Sequence, residues 1–235
     1  MQKDEIQTIK FAAIVCLICS MALAGVQGTL RSKQERNKQI DKQINVLKAL
    51  APTFDPEGNP LSEENVDLYF VQGKVPKEWI PDYFQNFVQS EDVTLPDGTA
   101  SILYKLNRED ELVSVAFPAQ GKGLWSTVHS YVGLETDLAT IRGVTFFDHG
   151  ETPGLGGECS KPWFQRNFQG KKLWENGEPV KFEVAKGTAD PVTPYKVDGM
   201  SGATITGNGI QKFVNETFRQ YNEAVFQPQR TTEES

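Results

Sequence analysis

The sequence predicts an α+β protein, with a single N-terminal transmembrane helix followed by a β-rich domain and a packed C-terminal helix. Three observations carry this. From Phe11 to Val26 the chain reads FAAIVCLICSMALAGV, sixteen residues without a charge. Between Ala100 and Phe147, short runs rich in β-branched and aromatic residues alternate with polar or glycine-bearing breaks. Near the C-terminus, Ile210, Phe213, Val214, Thr217, Phe218 and Tyr221 fall at i, i+3, i+4, i+7, i+8 and i+11, one apolar face of a helix.

The N-terminal run is short for a full membrane span, which needs about 20 apolar residues. Ile6, Ile9 and Leu30 extend it, with Lys10 able to snorkel. Ala22-Leu23-Ala24 also resembles a signal-peptidase site, so anchor and cleaved leader both fit the run itself. The next stretch favours the anchor. Ile40, Ile44, Leu47 and Ala51 recur at helical spacing among Gln, Lys and Asp, as in an amphipathic stem, until Pro52 stops it. The expected organisation is an anchor over 1–30, a stem over 31–51, the main domain over 52–225 and a polar, frayed tail over 226–235. Within the main domain, residues 52–95 read as irregular with short elements. ASILYKL and LVSVAFP flank Asn107–Asp110 as a hairpin, and GLWSTVHSYVGL, TIRGVTFF and VKFEVAK are further strand candidates.

Charge narrows the partners. Residues 1–50 hold eight basic and four acidic residues, whereas the remainder holds sixteen basic and twenty-seven acidic. An acidic main domain lacks the basic footprint that nucleic acid requires. Cys16, Cys19 and Cys159 cannot build a disulfide framework, and Cys16 and Cys19 sit inside the apolar run, where cysteine acts as a small hydrophobe. His129 and His149 are too few for a multi-histidine metal site. No phosphate-loop or dinucleotide-binding glycine motif is present, and no Ser-Gly elbow accompanies the histidines. The sequon at Asn215 lies in the predicted helix and is discounted.

Three segments remain as candidates for chemistry. In VDGMSGATITGNGIQ, Val197–Gln211, the glycines permit a tight turn and Ser201 is a natural N-cap, with Ala203, Thr204 and Ile205 in the first helical turn. Free amides and the helix dipole there favour an anion such as phosphate, and an ordinary capped helix fits the same residues. HGETPGLGG, His149–Gly157, has a specified backbone path that suits close approach to a flat ligand, or a plain surface loop. GKGLWS, Gly121–Ser126, offers Trp125 as a wall for an aromatic ring or as core.

Taken together these segments carry a resemblance. DGMSGAT resembles the flavinylation motif of the covalent FMN-binding domain family, whose final threonine receives the flavin. ETPGLG, with Trp163 and Phe168 downstream, is similar to the same family, which two bacterial respiratory complexes share. GKGLWS and SGATITGNGIQ resemble the C subunit of the sodium-translocating NADH:quinone reductase more than the G subunit of the Rnf complex, which stands as the alternative. A free extracytoplasmic flavoprotein and a secreted binding module are more distant alternatives.

The resemblance implies an electron-relay subunit of an NADH:quinone reductase, not active alone. FMN is then joined to Thr204 by a phosphodiester that a separate flavin transferase installs from FAD with magnesium. Ser201, Gly202 and Ala203 would support the phosphate, Thr152, Leu155 and Trp125 would line the isoalloxazine, and Asp198 would serve the transferase. Lys186 is a lesser candidate. Implied partners are the other subunits of a membrane complex and the membrane itself, with electrons passing from an iron–sulfur centre toward a second flavin and quinone. The family also implies a flavin domain on the extracytoplasmic side of the inner membrane. Charge bias opposes that side, since only Lys3 and Lys10 precede the apolar run while Arg31, Lys33, Arg36, Lys38 and Lys42 come after it.

Overall fold

The computed structural model describes residues 3–50, 78, 80–108 and 110–233. The chain divides into two units, residues 1–42 and 43–235. In the first, a single helix α1, Lys3–Leu50, runs without a break and continues into the second unit. Gln7–Gly25 of α1 is long and apolar enough to cross a membrane. Phe11, Ile14, Leu17, Ile18, Met21 and Leu23 are exposed along it, so this stretch calls for an apolar surrounding. Cys16 and Cys19 are free and exposed on the same stretch. The expected stem is helical through Leu50, while Ala51 and Pro52 lie outside the described residues.

In the second unit, a helix α2, Ile80–Phe87, leads directly into β1, Val88–Thr94. Both are short elements of the kind expected in that stretch. The charged run SEDV hides β1, because only Val88 and Val93 of the strand are buried. An Asp-Gly turn comes next, with Gly98 at φ 84° and the Asp97 carboxylate accepting from the Thr99 amide at 2.8 Å. β2, Ala100–Arg108, and β3, Glu111–Lys122, then pair antiparallel around the predicted hairpin. β4, Thr127–Leu134, and β5, Ile141–Asp148, complete a five-stranded antiparallel meander in the order β1-β2-β3-β4-β5.

Both faces of this sheet are covered at its centre. Val115, Phe117 and Ala119 of β3 belong to the main core, while Ser114 and Ala116 between them are buried on the other face. There the last turns of α1 pack. Ser114 Oγ donates to the Leu50 carbonyl at 2.7 Å, and Gly133 of β4 lies against the Ala49 carbonyl too closely for any side chain.

The chain beyond β5 is largely irregular. A 3₁₀ turn, Gly156–Ser160, precedes a short helix α3, Pro162–Arg166, and four two-residue strands come after it: β6, Trp174–Glu175; β7, Glu178–Pro179; β8, Glu183–Val184; β9, Lys196–Val197. VKFEVAK is thus a strand only at its centre, where β8 pairs in parallel with β9 and the Glu183 and Ala185 amides donate to the Tyr195 and Val197 carbonyls at 2.8 and 2.9 Å. Its alternate amides bond to side chains of the helix α4, Thr204–Tyr221: the Phe182 amide donates to Asn215 Oδ1 at 2.9 Å and the Val184 amide to Gln211 Oε1 at 3.0 Å. Asn215 also donates to the Phe182 carbonyl at 2.8 Å, so its amide is an internal brace.

The predicted apolar face of α4 is buried at Ile210, Phe213, Val214, Phe218 and Tyr221, with Thr217 half-buried. Tyr221 stacks on Phe117 at 4.5 Å between centroids and donates to the Ile102 carbonyl at 3.0 Å. Each large side chain fully buried here contributes about 1.5–3 kcal/mol. The tail, expected to fray, is helical through Glu233. One π turn, Asn222–Phe226, widens the helix just ahead of Pro228, and α5, Gln227–Glu233, continues it. Phe226 is fully buried, and Arg230 lies over the Trp174 ring at 4.5 Å while donating to the Leu138 carbonyl at 2.6 Å. The polar composition of QPQRTTEES concealed the Arg230 anchor.

Candidate functional site

The three segments singled out in the sequence meet at the head of α4. Their junction is one carboxylate, Glu151, which is only 5% exposed. Its Oε1 accepts from the amides of Trp125 at 2.8 Å and Ser126 at 3.1 Å, and its Oε2 from the Leu124 amide at 3.2 Å. Oε2 also accepts the Thr206 hydroxyl at 2.6 Å. The single acid of ETPGLG therefore ties the β3–β4 connection to the first turn of α4. Burial pushes this carboxyl up, but the Thr206 hydroxyl and the three amides outweigh it and hold it below the usual carboxylate range.

Local sequence explains each part. The β3–β4 connection is a two-residue turn closed by the Gly123 amide donating to the Ser126 carbonyl at 2.8 Å, with Leu124 and Trp125 at its tip. Trp125 is thus not inside a strand, as the run GLWSTVHSYVGL suggested, but at a turn, and it is 72% exposed. Gly123 and Gly156 leave room for the carboxylate: a Cβ on them would fall 2.7 Å from Glu151 Oε1 and 2.6 Å from Glu151 Oε2, respectively. Gly121 lies against Phe213 and Gly209 against the Lys122 carbonyl, each too close for a side chain, so α4 sits directly on the end of β3.

The ETPGLG loop folds back on its own backbone, with the Thr152 carbonyl accepting from Leu155 at 3.1 Å and Gly157 at 3.0 Å. Thr152 itself is exposed. Leu155 is 44% exposed, and its Cδ2 lies 2.9 Å from where a Gly202 Cβ would stand. This brings Leu155 beside the DGMSGAT turn. Buried Cys159, just beyond the loop, is free; burial, reinforced by the Glu151 charge, pushes its thiol up to about 12.

The DGMSGAT turn departs from expectation at Ser201. α4 starts at Thr204 with Ala203 as the flanking residue, and no side chain caps it. Gly202, at φ 70°, reverses the chain after Ser201 and carries that hydroxyl outside the first turn. The first helical bond runs from the Gly207 amide to the Ala203 carbonyl at 3.0 Å, so the amides of Thr204, Ile205 and Thr206 precede it. Thr204 and Ile205 are exposed, whereas Thr206 is 1% exposed. The Asp198 carboxylate is turned to the Ala189 amide, at 2.7 Å, and braces the preceding loop. Lys186 is exposed on that loop. Trp163 donates to Glu158 Oε2 at 3.0 Å and is partly exposed, while Phe168 is fully buried core.

Sequence reasoning brought Trp125, Leu155, Gly202, Ala203 and Thr204 to one place, and missed Glu151 and Thr206. The glycines at 123 and 156 were the available signal, since small residues on two loops mark a close approach. The arrangement suits a flat, phosphate-bearing ligand such as FMN. Trp125, Leu155 and Ile205 present apolar surface beside a helix head whose amides and hydroxyl suit a phosphate.

Comparison with known proteins agrees. The family described as FMN-binding domain matches residues 123–219. The chain is 33% identical to the C subunit of the Na(+)-translocating NADH-quinone reductase of Yersinia pestis over 234 residues, 89% of this chain and 86% of that one. It is 32% identical to the same subunit of Vibrio anguillarum, covering 88% of each chain. The crystal structure of that subunit from Parabacteroides distasonis superposes with a TM-score of 0.62 at 26% identity, covering 82% of this chain and 94% of that one. The chain belongs to the family formed by the C subunits of Na(+)-translocating NADH-quinone reductases.

Proposed function

We propose that this subunit carries FMN covalently on Thr204 and relays electrons within a sodium-translocating NADH:quinone reductase, from an iron–sulfur centre toward a second flavin and quinone. The carrying observation is the contrast between two threonines. Thr204 presents its hydroxyl at an uncapped helix head, while Thr206 is buried and donates to Glu151. Only the first is open to modification. A flavin transferase acting on FAD would form the bond from Thr204 Oγ1 to the FMN phosphorus, break the diphosphate, release AMP and remove the hydroxyl proton.

The chain's own contribution is to bind and orient. The amides at the head of α4 and the adjoining Gly202–Ala203 turn would stabilise the remaining phosphodiester charge. Trp125 and Leu155, with Thr152 at the loop, would cover the ring and exclude water, and bound FMN supplies the one- and two-electron chemistry. Asp198 supports recognition by the transferase through the loop it braces. The helix Gln7–Gly25 serves as an uncleaved anchor, the domain lies on the extracytoplasmic side, and the other subunits of the complex hold it in place.

The test is mass spectrometry of the chain coexpressed with a flavin transferase. The peptide containing Thr204 should carry the flavin mass, Thr204→Ala should abolish it, and Thr206→Ala should leave it on Thr204. An adduct that survives Thr204→Ala sinks the assignment.

A further inference from the structure

We propose that Glu151 is the positioning residue of the flavin site, holding the Trp125 turn and the Leu155 loop to the head of α4 and biasing the site's redox equilibrium through a fixed negative charge. The inference rests on the reading of Thr204 as the FMN attachment point and extends it to how the site is tuned.

The geometry is unusual for a purely structural residue. A carboxylate so nearly enclosed normally has a cationic partner, because burying an uncompensated charge is costly. Among the described residues, the groups donating to this one are neutral: the Leu124, Trp125 and Ser126 amides and the Thr206 hydroxyl. Thr206 alone is contributed by α4; the amides all belong to the turn that carries Trp125. An apolar side chain could fill the same space, but it would leave three buried donors and a hydroxyl without an acceptor.

The surrounding glycines indicate that this one position is protected. Gly123 and Gly156 each stand where a Cβ would press on a different oxygen of the carboxylate. Gly156 would also press on Thr206 Oγ1, at 2.6 Å. The carboxyl is held below its usual range, so it is anionic at neutral pH. It is tied to both candidate ring-covering residues: the Trp125 amide donates to it directly, and Leu155 lies four residues on in the same loop. A fixed anion at that junction disfavours adding electrons to whatever the junction holds.

The test uses the full chain, flavinylated in the cell and purified in detergent, with the adduct on Thr204 verified by mass before each titration. Glu151→Gln keeps the shape and removes the charge. It should shift the flavin's one-electron equilibrium toward reduction by about tenfold, about 59 mV for a one-electron couple. Thr206→Val keeps the charge but removes a donor that screens it, and should shift the potential the other way. A residue that only supports the fold would move both variants in the same direction, or move thermal stability and leave the potential alone; either result overturns the proposal. Should Glu151→Gln fail to fold, the sign of the Thr206→Val shift decides, and a null or upward shift overturns it. A wild-type chain without an adduct on Thr204 overturns the attachment reading and this inference together. A wild-type adduct whose potential ignores both substitutions overturns this inference alone.

Discussion

Replacing Gly156 by alanine tests whether the site is held together by close approach. The added methyl would fall 2.6 Å from Glu151 Oε2 and from Thr206 Oγ1, the two atoms of the bond that joins the loop to α4, and 3.1 Å from Glu151 Cβ. Neither partner can yield cheaply. Glu151 is fixed by the Leu124, Trp125 and Ser126 amides, and Thr206 by the helix backbone. Losing a hydrogen bond to a charged group costs about 1.5–3 kcal/mol, and an extra methyl in a filled space about 1–3 kcal/mol. Gly156→Ala should therefore destabilise the domain by about 2.5–6 kcal/mol, lowering Tm by roughly 2–4 °C for each kcal/mol in a domain of this size.

Gly154, two residues earlier in the same loop, is the control. Its φ is 76° and nothing lies within 4 Å of its would-be Cβ. Gly154→Ala should cost only the left-handed backbone strain, about 1–2 kcal/mol. Thermal denaturation of the two variants, followed by circular dichroism, measures the difference. If Gly156→Ala melts at or above Gly154→Ala, the crowding argument at Glu151 fails.

Other outcomes rest on the same geometry. Trp125→Ala and Leu155→Ala remove exposed side chains, so both should leave Tm within about 1 °C while changing flavin fluorescence or potential; unchanged spectra in both would move the ring elsewhere. Because the folded-state pKa of Glu151 is depressed, its contribution is complete above the ordinary value of 4.5 and is lost as the pH falls through the lower folded value. Acid titrations of stability should be flatter in Glu151→Gln than in wild type, and parallel curves would contradict this. For topology, an alkaline phosphatase fused after Ser235 should be active and the mature chain should begin near Met1. An inactive fusion would reverse the orientation, and a start near Gly25 would reveal a cleaved leader.

The parts of the fold legible in the sequence are those where periodicity is strong. The apolar stripe of α4 faces a single core, so its spacing translated directly into buried Ile210, Phe213, Val214, Phe218 and Tyr221. β2 through β5 were visible because their inward positions are large and apolar. β1 was not, since its SEDV centre is an exposed edge with only Val88 and Val93 buried. VKFEVAK has strand composition and pairs with β9 along one edge, but Asn215 and Gln211 satisfy its other edge in place of a second strand, and pattern alone cannot reveal a side-chain acceptor that distant in sequence. Arg230 anchors an otherwise polar tail through contacts with Trp174 and Leu138 that only the fold brings near.

The candidate site divides along the same line. Trp125, Leu155 and Thr204 sit in motifs whose composition is unusual enough to notice, yet their exposure is a property of the turn, loop and helix head that carry them. Glu151 looked like one more acid in an acidic domain. Its role depends on a backbone turn 25–27 residues earlier and a hydroxyl 55 residues later, separations that leave no local trace. The same separation joins three segments at one point, because the Trp125 turn and the head of α4 both bond to a carboxylate that the Leu155 loop carries. Under the proposed function such pre-organisation would limit the rearrangement that accompanies electron transfer, and here one buried carboxylate and the glycines around it would supply it.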